Sequence, residues 1–158
     1  MTSRTPRLAL AVLALLALNA CSAGVGADET PSATGGAIEL AVSETCAKGS
    51  DPKCVSVKGD YVVLPSAFER AGVENATAAE GQGPNTVDVA FTKEGATVLH
   101  TLTEKAARAK DSARLVMKIG GEIQSVVTVM EAVKEDRVQI DFSPDKSAQE
   151  AIDLIHAG

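Results

Sequence analysis

Tryptophan is absent from this chain of 158 residues, which carries one tyrosine and three phenylalanines. Its core must therefore be built from Val, Leu, Ile and Ala. A stacking platform for carbohydrate, or an aromatic cage for a quaternary amine, lacks its material. Histidine occurs only at His100 and His156. A general base needs a placed partner, and nothing in the sequence sets one beside either ring. Cysteine occurs three times, never as Cys-x-x-Cys and never beside other metal ligands, which argues against a redox pair and a metal site. We therefore expect no catalytic residue, no metal and no cofactor. Positive charge is also in deficit, with 15 basic against 21 acidic side chains. That balance argues against nucleic acid as a partner and against electrostatic attachment to anionic lipid. No internal repeat is visible, and the length suits a single core.

One long apolar run is present, at the start. Arg4 and Arg7 precede Leu8 to Leu18, an unbroken series of Leu, Ala and Val. The run is short for a membrane span and right for the core of a signal peptide. It ends in Leu18-Asn19-Ala20-Cys21, which resembles the bacterial lipobox. The expectation is a signal peptide over 1–20 and a mature chain that begins at Cys21. The Cys21 sulfur would carry diacylglycerol and hold the protein on the extracytoplasmic face of the cell membrane, each buried CH₂ contributing about 0.8 kcal/mol. Loss of Arg4 and Arg7 would shift the formal charge of −6 to about −8. Residues 21–36, small, polar and rich in glycine, read as the lipidated cysteine and a flexible tether with a reach of about 20 Å.

Residues 37–85 read as the N-terminal strands and a disulfide loop of the globular domain. Ala37 to Leu40, with Val42, suits a strand. Cys46 and Cys54 bound a loop containing Gly49 and Pro52. Outside the cytoplasm the simplest reading is a disulfide between them, worth about 2.5 kcal/mol from loop-closure entropy. Val55, Val57 and Tyr61 to Leu64 read as strand, stopped by Pro65. Phe68 to Val73 reads as a short helix or turn, and Asn75 to Asn85 as a loop.

Residues 86–158 are the most regular part. Val87, Val89 and Phe91 alternate as on a half-buried strand. Thr92 is placed to cap a helix, with Glu94 near the positive end of its dipole. Val98, Leu99, Leu102 and Ala106 then recur at helical spacing, and Lys105, Arg108 and Lys110 lie toward the end. Strands follow at Arg114 to Ile119 and Glu122 to Val129, joined by Gly120-Gly121, which signals a two-residue hairpin rather than a phosphate cradle. Glu131, Glu135 and Asp136, interrupted by Lys134, read as a solvated connection. Arg137 to Phe142 alternates again, Ser143-Pro144-Asp145 turns, and a last helix places Ala148, Ala151, Ile152 and Ile155 on one side. These elements define an α+β domain, a mainly antiparallel sheet with two main helices packed on one face.

The order and spacing of this part resemble the head subdomain of the first periplasmic domain of SecD and SecDF, accessory subunits of the Sec preprotein translocase. Carrying the resemblance are Thr92-Lys93-Glu94-Gly95, Leu99, Leu102-Thr103, Leu115 to Ser125 with its glycine hairpin, Arg137-Val138-Gln139-Ile140 and Glu150 to Leu154. The chain departs from that family at Gly120, where aspartate is usual, and at Val126-Val127, where a proline is usual. The resemblance implies a non-catalytic binding module that assists export or the folding of exported chains, with Sec subunits or exported polypeptides as partners. It does not imply the family's proton-driven motor, because no membrane-spanning run follows the signal peptide. The nearly all-apolar Val126 to Met130 reads as a central strand, or as an edge that accepts an extended peptide by strand addition. The candidate binding residues on the second reading are Gln124, Val126, Val127, Thr128, Val129 and Arg137. The alternative function is an envelope lipoprotein that uses the same fold for another cell-wall, lipid or protein ligand.

Overall fold

Valine and isoleucine alternate with polar residues through much of the chain, and such runs become strands where one face finds a core. The computed structural model describes residues 32–158. The expected signal peptide (1–20), Cys21 and the expected tether up to residue 31 lie outside the described residues. In chain order the elements are β1 (Ser32–Thr34), β2 (Ala37–Glu44), β3 (Cys54–Val57), β4 (Asp60–Val63), β5 (Glu69–Ala78) and β6 (Thr86–Phe91). Then come α1 (Lys93–Ala109), a 3₁₀ turn at Lys110–Ser112, β7 (Ala113–Ile119), β8 (Glu122–Val127), β9 (Arg137–Asp141) and α2 (Ala148–Ala157).

The main sheet runs β8-β7-β2-β5-β6-β9, with β1 lying on β5 beyond the end of β2. Every ladder in it is antiparallel. Both helices pack on one face, α1 over β5, β2, β7 and β6, and α2 over β5, β1, β2 and β6. Ile38, Leu40, Val87, Val89, Leu99, Leu102, Ile119, Ile152 and Ile155 form part of the core between them. The fold is thus α+β, with a curled antiparallel sheet and two helices.

The N-terminal half corrects two expectations. Ser32–Thr34, read as tether, pairs with Asn75 to Thr77. The stretches read as a short helix or turn (Phe68 to Val73) and as a loop (Asn75 to Asn85) contain β5, a strand of 10 residues in the middle of the sheet. Its register against β6 shifts between Val73 and Asn75, so the buried residues Ala71, Val73 and Ala76 do not keep a period of two. Small residues on its buried face let α1 approach closely. A Cβ placed on Gly95 would stand 2.2 Å from the Gly72 carbonyl oxygen, so helix and strand meet backbone to backbone.

β3 and β4 form a separate hairpin on the opposite face of the main sheet. Val62 of the hairpin packs with Val116 and Val126, flanked by Val55, Val57, Phe68 and Ile123. Cys46 and Cys54 are joined by a disulfide across 8 positions of sequence. The Lys118 ammonium lies 5.0 Å from the centre of the Phe68 ring and 2.9 Å from a Glu39 carboxylate oxygen.

Candidate functional site

β8 and β9 end the sheet order at opposite sides, yet both line one cleft of about 480 Å³. The sheet therefore curls until its two edges face the same space without pairing. Leu99 and Thr103 of α1, Leu115 and Met117 of β7, and Val129 form its deep, largely apolar wall. Val138, Gln139, Ile140 and Asp141 line the side toward β9. Side chains in a strand alternate between faces, so consecutive lining residues mean that the backbone edge itself is presented.

Two hydrogen bonds fix which way that edge faces. The Phe91 N–H donates to the Asp136 carbonyl at 2.8 Å, and the Phe142 N–H donates to the Asn85 carbonyl at 3.0 Å. With Val87 opposite Ile140 and Val89 opposite Val138, the even-numbered residues of β9 direct their backbone groups at β6. The N–H and C=O of Arg137, Gln139 and Asp141 consequently point away from β6, along the free edge.

The connection from β8 to β9 bridges the cleft and is tied to α1 at Val133. The Val133 N–H donates to Thr103 Oγ1 at 3.0 Å, and its carbonyl accepts from His100 Nδ1 at 3.0 Å. The Thr103 hydroxyl in turn donates to the Leu99 carbonyl at 2.7 Å. His100 is thus an exposed clasp for this connection. Val129 is tucked into the core beneath it, while Met130 is 87% exposed at the rim. The charged residues lining the cleft, Glu131 and Asp141, are both acidic.

The expected binding residues divide. Val127, Thr128 and Val129 line the cleft. Gln124 does not: it is buried, beside a register shift between Met117 and Lys118. Val126 faces the other side, under the β3–β4 hairpin. Arg137 opens onto a separate depression of about 290 Å³ on the outer sheet face, with Asn75, Thr77, Asp88 and Gln139. The expected third strand ends at Val127 instead of Val129, and β8 lies at the edge of the sheet, which overturns the central-strand reading. Sequence reasoning missed the β9 edge. The one available signal was the polar series Arg137, Gln139 and Asp141, since edge strands tend to carry charge.

The carboxylates held below their usual range lie elsewhere, at the approach to α2. A hydrogen bond from the Ser143 side chain lowers Asp145, and the Ser147 backbone N–H, then its hydroxyl, lowers Glu150. Among the described residues no helix is long and apolar enough to cross a membrane. No family model matches the chain, and no curated protein or solved structure matches it.

Proposed function

We propose that this protein is a lipoprotein of the extracytoplasmic membrane face, anchored through Cys21. Its domain acts without catalysis, as a SecD/SecDF-head-like module that receives extended stretches of exported polypeptide and assists their export or folding. The observation that carries the reading is the cleft between two sheet edges that no other described strand pairs. A free strand edge recognises any extended chain through backbone hydrogen bonds, independent of its sequence. An apolar wall beside that edge accepts the side chains of a chain not yet folded. The Cys46–Cys54 disulfide is in keeping with an oxidising compartment, and the Arg4, Leu8 to Leu18, Cys21 series supports the anchor. The apolar depth of the cleft also favours a second reading, an envelope lipoprotein that binds a lipid or another non-export ligand there.

The test is photo-crosslinking in living cells, with the probe amino acid at Thr128, Met130 or Gln139, all exposed positions on or beside the cleft. The expected result is crosslinks to Sec subunits or to many different exported chains. One unrelated envelope protein captured from all three positions would overturn the export role. Mass spectrometry of the N-terminal peptide checks the anchor, with lipid on Cys21 as the expected outcome and an unmodified Cys21 as the contrary one.

A further inference from the structure

The opening between β8 and β9 has a polarity, and that polarity narrows what fits it. β9 offers backbone donors and acceptors at Arg137, Gln139 and Asp141. A chain that pairs with this edge in the stronger, antiparallel sense lays its N-terminal end beside Asp141 and its C-terminal end beside Arg137. Alternate side chains then point toward Leu115, Met117 and Val129, the apolar wall. Among the described residues, Asp141 and Glu131 line the cleft and no lysine or arginine does. The Asp141 carboxylate spends one oxygen on the Thr86 hydroxyl, at 2.7 Å, and its other oxygen remains for an incoming cation.

We infer that the occupant of the cleft is a short extended segment, apolar at alternate positions and preceded by lysine or arginine, which adds antiparallel to the free edge of β9. This rests on the peptide-binding reading above and adds to it a direction and a charge. A basic group ahead of the apolar run meets Asp141. The same group placed after the run meets Arg137, whose repulsion offsets the pull of the neighbouring Asp88, so it gains less there than beside Asp141. The contacts are solvated, so the preference is modest, about three- to tenfold in Kd for the pair of charges.

The experiment uses the full-length chain and four synthetic peptides. One is Lys-Lys-Val-Thr-Val-Thr-Val. The second replaces both lysines with glutamate, the third moves them to the C-terminal end, and the fourth is the first peptide N-methylated at two successive central residues. Affinity is read by fluorescence polarisation and the site by amide hydrogen exchange. The first peptide is expected to bind about three- to tenfold more tightly than the second and third, with the gap narrowing as salt rises. The fourth should lose binding, because whichever central residue faces β9 lacks its donor. Gln139→Pro removes an N–H on the free side and leaves the β6 ladder its own bonds. This variant should abolish binding while thermal unfolding stays within a few degrees. Slowed exchange of the Gln139 and Asp141 amides in the complex would place the peptide on β9.

Equal affinity for the first three peptides would overturn the charge and direction while leaving strand addition in place. Undiminished binding of the N-methylated peptide would overturn strand addition itself. Failure of every peptide would remove both this inference and the reading beneath it. Saturable binding of a fatty acid in place of any peptide, or protection of β9 by dimerisation of the chain alone, would do the same and identify the true occupant.

Discussion

At the scale of single residues, close contacts decide more than propensities do. Gly95 stands in the first turn of α1, where alanine would favour the helix by about 1 kcal/mol. The Gly72 carbonyl oxygen, 2.2 Å from where a Cβ would sit, outweighs that gain. Gly95→Ala must push α1 off β5, and overpacking of this kind costs about 1–3 kcal/mol. We therefore expect a net loss of stability, seen as a lower urea midpoint with an unchanged slope. A midpoint at or above that of the parent would show that the helix slides without penalty. The capping role of Thr92 was legible, because its hydroxyl reaches the Gly95 N–H at 3.0 Å within three residues of sequence. The reason for glycine at 95 was not, because its partner is 23 residues earlier, on a strand that reads as a short helix or turn.

At the scale of elements, α2 was the most legible. Its buried stripe is read from local spacing, and its cap, which the sequence reading did not single out, is equally local: Ser147 and Glu150 form a reciprocal capping box. That box also makes the helix sensitive to acid. Hydrogen bonds from the Ser147 backbone N–H and hydroxyl hold Glu150 below its usual value. A carboxylate depressed in the folded state contributes stability above its unfolded pKa and loses it as pH falls through the folded one. Exchange of the first-turn amides of α2 should therefore speed up, relative to intrinsic rates, as pH drops through the carboxylate range. Glu150→Gln should flatten that dependence, and an unchanged profile in this variant would assign the acid sensitivity elsewhere. β5 lies at the other extreme. Ala71, Val73 and Ala76 form its buried face, and two alanines and a register shift leave too little contrast for alternation to show.

At the scale of the whole molecule, the β3–β4 hairpin is a second layer with a small core of its own, fastened by the Cys46–Cys54 bridge. Replacing both cysteines by serine should destabilise the protein by at most about 2.5 kcal/mol, since the closed loop is short. Amide exchange should show the hairpin opening first and the β2-β5-β6 centre last. A uniform rise in exchange across the sheet would instead mean that the two layers unfold as one. The bridge was legible because only two cysteines remain once Cys21 is set aside. What it fastens was not, since Val116 and Val126 meet Val62 only after the chain has turned back on itself.

The sequence by itself determined most of the local pieces. The strand alternation of Val87 to Phe91 and Val138 to Phe142, both helices with their caps, the Gly120-Gly121 turn and the α+β class depend on contacts within a few residues. Tertiary structure alone decided the order of the strands, and with it the site. The Val126 to Met130 segment, being apolar, reads as a buried central strand or as an open edge, and only the fold decides, setting β8 at an edge. It sends Val126 under the hairpin, Val129 into the core and Val127 to the rim of the cleft. Hydrophobicity specifies that a side chain be covered, and it does not specify by what. Which backbone edges stay unpaired depends on how far the sheet curls, a sum over ladders between strands far apart in the chain, and no window of sequence contains that sum.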